Sequence, residues 1–289
     1  MPPEPRDELS AWLRWGKREL AFLDEREALQ ESETILEALL GVSRTELYLR
    51  QKADPALFLR FSQGIEARKK RVPLAYLLGK SSFWDEEFEV EAGIFIPRPE
   101  TEVVVEAFLR DGGFATADSF RFLDLGTGSG NLAVTFAKLC PVSEGAASDI
   151  SAKAVKVAVG NARRLGAGLR LRIIQADGLS GFQDGSFDVI VSNPPYIARE
   201  EWAGLDPEVR EEPRVALDGG EDGLDFYRKV CGDLSCLKRG GSLWVEVGVG
   251  QAAEVRSLFE NAGFREIKIF QDFNKIERVV AGKGHRFDG

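Results

Sequence analysis

Two rhythms of apolar and polar positions divide the chain. Through residues 1–75 apolar positions recur at helical spacing, beginning with Trp12, Trp15, Leu20 and Leu23. Residues 34–40 predict a second helix, with Gly41 as its C-terminal stop. Ser43 and Glu46 have capping-box spacing ahead of Leu47-Tyr48-Leu49. Asp54-Pro55 suits the N-cap and first turn of a helix running to about Lys70, and Pro73 ends the bundle these segments form. Phe83-Trp84 and Phe88-Glu89-Val90 alternate as a short hairpin around acidic Asp85-Glu86-Glu87, and a helix follows over 103–109. Beyond residue 120, strand-like runs at 121–125, 146–149, 170–175, 187–192 and 242–247 alternate with helical patterns at 129–139, 151–165, 223–238 and 250–262. That alternation predicts a parallel sheet with right-handed crossovers. Two further strand-like runs around Asp272-Phe273-Asn274 predict an antiparallel hairpin at the sheet edge. The expected architecture is α/β, with a small N-terminal helical bundle.

Composition narrows the function classes. At 289 residues and 44% hydrophobic, the chain has length for one large or two modest domains with a real core. No apolar run approaches the ~20 residues that cross a bilayer, so no membrane association is expected. Met1-Pro2-Pro3-Glu4-Pro5-Arg6 lacks the basic-then-apolar order of a signal peptide. Cys140, Cys231 and Cys236 are odd in number and have no metal-ligand spacing; they read as reduced core thiols of a cytoplasmic protein. The single histidine, His285, reads as a solvated tail residue. Without another, Ser-His-Asp and Cys-His mechanisms and His-rich metal sites drop out, and no metal is expected. Chemistry by positioning and an activated cofactor remains.

The net charge is −9, with 14 basic against 13 acidic residues over 1–80 and 24 against 34 beyond. A protein gripping a nucleic-acid duplex needs a basic face, so direct nucleic-acid binding is not expected. The one dense basic run, Arg68-Lys69-Lys70-Arg71, reads as a solvated helix end where cations favour the dipole.

Two motifs carry the chemistry. Phe122-Leu123-Asp124-Leu125 runs into Gly126-Thr127-Gly128-Ser129-Gly130, and a later strand, 187–192, runs into Asn193-Pro194-Pro195-Tyr196. Ligands of open α/β sheets bind outside the carboxyl ends of the strands, which is where both motifs fall. This is the layout expected of an S-adenosylmethionine enzyme acting on a planar, amide-like nitrogen. Such a nitrogen is a poor nucleophile because its lone pair is delocalised. The Asn193 side-chain oxygen and the Pro194 carbonyl can accept its N–H groups, Pro195 stiffens the turn, and Tyr196 can cover the flat face. The glycines allow a tight turn and close approach of a ligand. A nicotinamide-type G-x-G-x-x-G fails, because its third glycine would fall at Asn131. Asp149, 19 residues after Gly130, reads as an acceptor for ribose hydroxyls or as the N-cap of the helix near Ser151; ribose binding is favoured in this context. Asp177 can accept an adenine amino group or form a turn. Asp124 and Glu100 are candidates for structural or cofactor-orienting roles.

The chain resembles the peptide chain release factor glutamine methyltransferases, the PrmC or HemK family. The matching segments are Pro73-Leu74-Ala75-Tyr76-Leu77-Leu78-Gly79, Ile96-Pro97-Arg98-Pro99-Glu100-Thr101-Glu102, Asp124 to Gly130, Ser192 to Ile197, Glu212-Pro213, Ala216-Leu217, Gly219-Gly220, Asp222-Gly223-Leu224, and Glu246-Val247-Gly248 before Gln251. Asn-Pro-Pro-Tyr alone is shared with adenine methyltransferases, so a DNA or RNA adenine-N6 enzyme is the alternative. The resemblance implies a helical N-terminal domain (1–75) that docks substrate, a hairpin linker (76–98) and a class I, Rossmann-like methyltransferase domain (99–289). It implies S-adenosylmethionine as cofactor, release factors as protein substrates, and N5-methylation of the glutamine in their Gly-Gly-Gln loop. Asn193, Pro194 and Tyr196 take the catalytic roles, and with Pro195 they form the substrate site. Gly126, Thr127, Gly128, Ser129, Gly130, Asp149, Asp177, Gly178 and Asn193 take the cofactor contacts. Relatives often carry a bulky aromatic residue where Gly178 stands.

Overall fold

A computed structural model describes residues 2–52, 54–112 and 119–285. The chain forms two compact units: residues 1–79 with 207–211, and residues 80–206 with 212–289.

The first unit is helical: α1 (Leu9–Glu19), α2 (Glu25–Leu40), α3 (Arg44–Leu49), α4 (Ala56–Lys69) and α5 (Leu74–Leu78), joined by α9 (Pro207–Arg210) from far along the chain. Trp12, Leu20, Leu36, Phe61 and Ile65 form its core. Helix α2 begins well before the predicted 34–40, because the Asp24 side chain accepts from the Arg26 and Glu27 N–H groups and starts the helix there; Gly41 (φ 63°) ends it as expected. Ser43 and Glu46 form the predicted capping box. Pro73 does not end the bundle, since it precedes α5, where its missing N–H is no loss. The basic run does close a helix, with Arg68 and Lys69 in the last turn of α4 and Lys69 and Lys70 exposed, but it is not wholly solvated. Arg68 is buried, bonding Glu31 and Glu208, and Lys69 pairs with Glu19. Arg71 pairs with Glu208 and lies over the Phe22 ring. Carboxylates of the same unit therefore neutralise most of the run.

The second unit opens with the hairpin β1 (Lys80–Phe83) and β2 (Glu86–Glu89), which turns at Trp84-Asp85 rather than across the whole acidic triplet. Trp84 takes the left-handed turn conformation (φ 54°), and its N–H donates to Glu102. Helix α6 (Glu102–Asp111) precedes the main sheet. That sheet contains β3 (Arg121–Leu125), β4 (Glu144–Asp149), β5 (Leu171–Gln175), β6 (Phe187–Ser192), β7 (Leu237–Glu246), β8 (Glu266–Gln271) and β9 (Glu277–Lys283), in the order β5-β4-β3-β6-β7-β9-β8. The first five are parallel, and β9 pairs antiparallel with both β7 and β8, so the C-terminal hairpin closes the edge as predicted. Helices α7 (Asn131–Leu139), α8 (Ala152–Arg164), α10 (Asp225–Gly232) and α11 (Ala252–Asn261) complete the unit.

Strand side chains alternate between faces, and the core divides accordingly. Phe122, Val189, Val191 and Trp244 pack with α6 and α7, while Leu123, Ile190, Leu243 and Val245 pack with α10 and α11. Helix α10 stops well short of the predicted 238. The 3–4 spacing of Leu224, Tyr227, Val230, Leu234 and Leu237 does persist, and all five are buried in one cluster. Gly232 and Asp233 nonetheless end the helix, and Leu237 already pairs with Phe187 as sheet. His285 is buried, not solvated: it packs on the Phe264 ring at 5.1 Å, its carbonyl accepts from the Gly240 N–H, and burial lowers its pKa. Cys140 and Cys236 are buried free thiols; burial raises Cys236 to about 11 and the half-buried Cys231 to about 12. No described helix is long and apolar enough to cross a membrane.

Candidate active site

Strand order reverses between β3 and β6, and open α/β sheets bind ligands at such a switch point. A cavity of about 230 Å³ lies there, outside the carboxyl ends of β3, β4 and β6. Both motifs reach it, which brings Gly126, Gly128, Asp149, Asp177, Asn193 and Tyr196 together on its walls, with Thr127, Gly178, Pro194 and Pro195 beside them.

The glycine loop is built around two carboxylates. The Gly126 and Thr127 N–H groups donate to the Ser148 carbonyl at 2.9 Å, tying the loop to the end of β4. Asp124, fully buried at the end of β3, accepts from the Thr127 hydroxyl (2.5 Å) and the Ala133 N–H (3.0 Å) through Oδ2. Its Oδ1 is buried without a partner among the described residues. Burial lifts the Asp124 pKa to about 7, against the pull of those two bonds. Asp149 accepts from the Gly128 N–H (2.9 Å) and the Ser151 N–H (2.9 Å). The cap of α8 is Ser151, whose hydroxyl accepts from the Ala154 N–H, so Asp149 is not needed as a capping residue.

The cavity suits S-adenosylmethionine on two observations. Gly126 (φ 75°) and Gly128 (φ 56°) would each point a Cβ into open space, leaving a cradle that only glycine keeps clear. The partnerless Asp124 Oδ1 is an acceptor aimed at nothing in the protein, suited to an ammonium group. Ile150, Phe226 and Leu217 add apolar wall to the cavity, and none of the three shows a polar signature by which sequence alone would reveal it.

Three cofactor candidates sit differently from the rest. Ser129 is buried outside the cavity, its carbonyl held by the Asn161 side chain. Gly130 also lies outside it; a Cβ there would stand 3.1 Å from Ala158, so its role is close packing of the loop on α8. Asp177 is exposed and pairs with Lys229 at 2.5 Å, and the Lys229 stem lies 3.2 Å from where a Gly178 Cβ would be. Lysine thus fills space that a bulky residue after Asp177 would claim. Glu100 is exposed and does not line the cavity.

The tetrapeptide is held from three sides. Asn193 Nδ2 donates to the Thr101 hydroxyl oxygen at 2.8 Å, which leaves Oδ1 as the end available to a donor. Gln251 donates to the Tyr196 carbonyl (2.9 Å) and accepts from the Gly248 N–H (3.0 Å). The Tyr196 hydroxyl donates to Glu246 Oε1 at 3.1 Å. Burial, then the nearby Glu246 carboxyl, drives the Tyr196 pKa far up, so the ring is a neutral wall. The Pro194 carbonyl accepts no hydrogen bond among the described residues. Glu212 carries the opposite rim. Buried, it accepts from the Ile96 N–H (3.0 Å) and pairs with Arg98, fastening the segment with Ile94 and Phe95 to the one with Pro213 and Leu217.

A doubly wound sheet with this cavity, and Asn-Pro-Pro-Tyr at the end of β6, defines an S-adenosylmethionine-dependent methyltransferase. Residues 101–205 match the Methyltransferase small domain family and residues 11–79 the PrmC N-terminal domain family. A release factor glutamine methyltransferase from Geobacter sulfurreducens is 42% identical, with 94% of this chain and 95% of that one covered. Another, from Chlorobaculum tepidum, is 38% identical over 96% and 98% of the two chains. In fold, the chain is similar to a methyltransferase from Pyrococcus furiosus (TM-score 0.52, 16% identity, 69% and 89% covered). The chain belongs to the release factor glutamine methyltransferase family.

Asp149 offers a direct check on the cofactor site. Asp149→Ala is expected to weaken S-adenosylmethionine binding by ~1.5–3 kcal/mol, the worth of charge-assisted bonds to ribose hydroxyls. Ser151 keeps the α8 cap, but the Gly128 and Ser151 N–H groups lose an acceptor, so a modest fall in melting temperature should accompany the loss of affinity. Calorimetry paired with melting curves reads both; unchanged affinity with lost stability would assign Asp149 to the scaffold instead.

Proposed function

We propose that this protein transfers a methyl group from S-adenosylmethionine to the side-chain amide nitrogen of the glutamine in the Gly-Gly-Gln loop of peptide chain release factors, in the cytoplasm. The observation that carries the reading is the fixed orientation of Asn193, whose Nδ2 is committed to Thr101. An oxygen is thereby offered to an incoming N–H. Asn193 Oδ1 and the Pro194 carbonyl together accept the two N–H groups of a primary amide, and Tyr196 closes over its flat face. S-adenosylmethionine supplies, when bound, an electrophilic methyl group carried on a sulfonium. The chain's contribution is positioning: Asp149 and the glycine loop hold the nucleoside end, Asp124 the ammonium, and the tetrapeptide the nitrogen. Alignment of reactants is worth up to roughly 7–11 kcal/mol. The acidic balance beyond residue 80 and the neutralised basic run weigh against a nucleic-acid substrate.

With labelled S-adenosylmethionine, a release factor should accept one methyl group, and a version with alanine in place of the loop glutamine none. Equal labelling of both versions, or labelling of adenine oligonucleotides instead, would overturn the assignment.

A further inference from the structure

The structure assigns Thr101 and Glu246 as positioning residues that fix which end of the Asn193 side-chain amide faces the substrate, an inference resting on methyl transfer to an amide nitrogen as proposed above. The two ends of an asparagine amide are nearly identical in shape, so hydrogen bonding alone chooses between them. Only one choice works here: an N–H end turned to the substrate would oppose N–H to N–H. Asn193 Nδ2 donates to Thr101 Oγ1 at 2.8 Å. The Thr101 hydroxyl, accepting there, keeps its own proton for the neighbouring Glu246 carboxyl, whose charged form Thr101 favours. Tyr196 donates to the same carboxyl at 3.1 Å. In its ionised form the Glu246 carboxyl only accepts, and it then sets the direction of every bond that ends on it.

The anchor is rigid. Glu246 is the last residue of β7, 1% exposed, and its carbonyl accepts from the buried Tyr227 hydroxyl at 2.8 Å. Its Oε2 is buried with no hydrogen-bond partner among the described residues. Burial lifts the Glu246 pKa to about 7, against Thr101, Tyr196 and Arg278, which favour its charged form. Thr101, fully buried where α6 begins, sits outside the cavity wall and so can act on the substrate only through Asn193.

Thr101→Val keeps the shape and removes the hydroxyl. With saturating S-adenosylmethionine and release factor, its kcat should fall about tenfold or more, while cofactor Kd stays within about twofold. The melting temperature should fall somewhat with the lost bond; a merely structural role would lower cofactor affinity along with turnover and stability. Thr101→Ser, which restores the hydroxyl, should recover most of the loss. Glu246→Gln should lower kcat less in the Thr101→Val background than alone, because part of its effect passes through Thr101. Wild-type kcat in Thr101→Val, no recovery in Thr101→Ser, or full additivity of the two changes would overturn the inference. Failure of the substrate reading is separable, since the unmodified protein would then leave the release factor unlabelled in the same assay.

Discussion

Asn193→Ala is expected to lower turnover at least ~100-fold while cofactor affinity changes far less. The substitution removes the side-chain acceptor that aligns the substrate nitrogen. An unpaired N–H in a partly desolvated pocket costs ~1–3 kcal/mol, and the misalignment that follows adds to it. It also takes the Nδ2 donor from Thr101, so some loss of stability should accompany the loss of rate. Single-turnover kinetics with preloaded cofactor separate the two. Asn193→Asp is the sharper companion. It keeps an oxygen for the substrate, but Thr101, which now accepts from Asn193, would face two carboxyl groups with one proton to give. Residual activity with near-normal cofactor binding is the expected result. A wild-type rate in Asn193→Ala would remove the tetrapeptide from the mechanism.

Gly128→Val should abolish measurable S-adenosylmethionine binding in a protein that still folds. A Cβ at Gly128 meets nothing within 4 Å, so a side chain there starts in the open space of the cavity that the cofactor is to fill. The backbone there is left-handed (φ 56°), which strains an L-residue by roughly 1–2 kcal/mol. Gly128→Ala separates strain from obstruction, because it carries the left-handed penalty with the smallest side chain. Calorimetry should show weakened binding in the alanine variant and none in the valine variant. Equal affinities in valine variant and wild type would place the cofactor elsewhere.

These effects concern residues whose chemistry is local in sequence, and such residues were the legible ones. Strands at 121–125 and 187–192 are apolar runs closed by a glycine loop and by prolines, so periodicity and punctuation coincide, and β3 and β6 occupy those residues. Ser43 and Glu46 declare a helix start within four residues. Where two local signals conflicted, reading failed. The helical spacing of residues 224–237 concealed the change from α10 to β7, because both elements bury their side chains in the same cluster. His285 looked like tail because proximity to a terminus says nothing about burial, and only the Phe264 ring beside it reveals the packing.

The supports of the site were illegible for a different reason. Asn193 bonds Thr101 and Tyr196 bonds Glu246 in one group of neighbouring polar side chains, yet β6 and β7 and the start of α6 bring them together from distant parts of the chain. Arg98 and Glu212 are likewise 114 residues apart. Thr101, Arg98, Glu212 and Glu246 all lie in the segments that carry the family resemblance, but nothing in a sequence says which of them meet. Asp124 is legible as a candidate from its place before the glycine loop, but its partnerless Oδ1 is a property of the folded loop alone.

The most direct test is to find where the methyl group goes. After incubation with S-adenosylmethionine, a release factor digested and sequenced by mass spectrometry should carry one added methyl on the side-chain nitrogen of the Gly-Gly-Gln glutamine. The same peptide from an incubation with the Asn193→Ala variant should be almost entirely unmodified. Methylation at another residue of the release factor, or equal modification by that variant, would contradict the account.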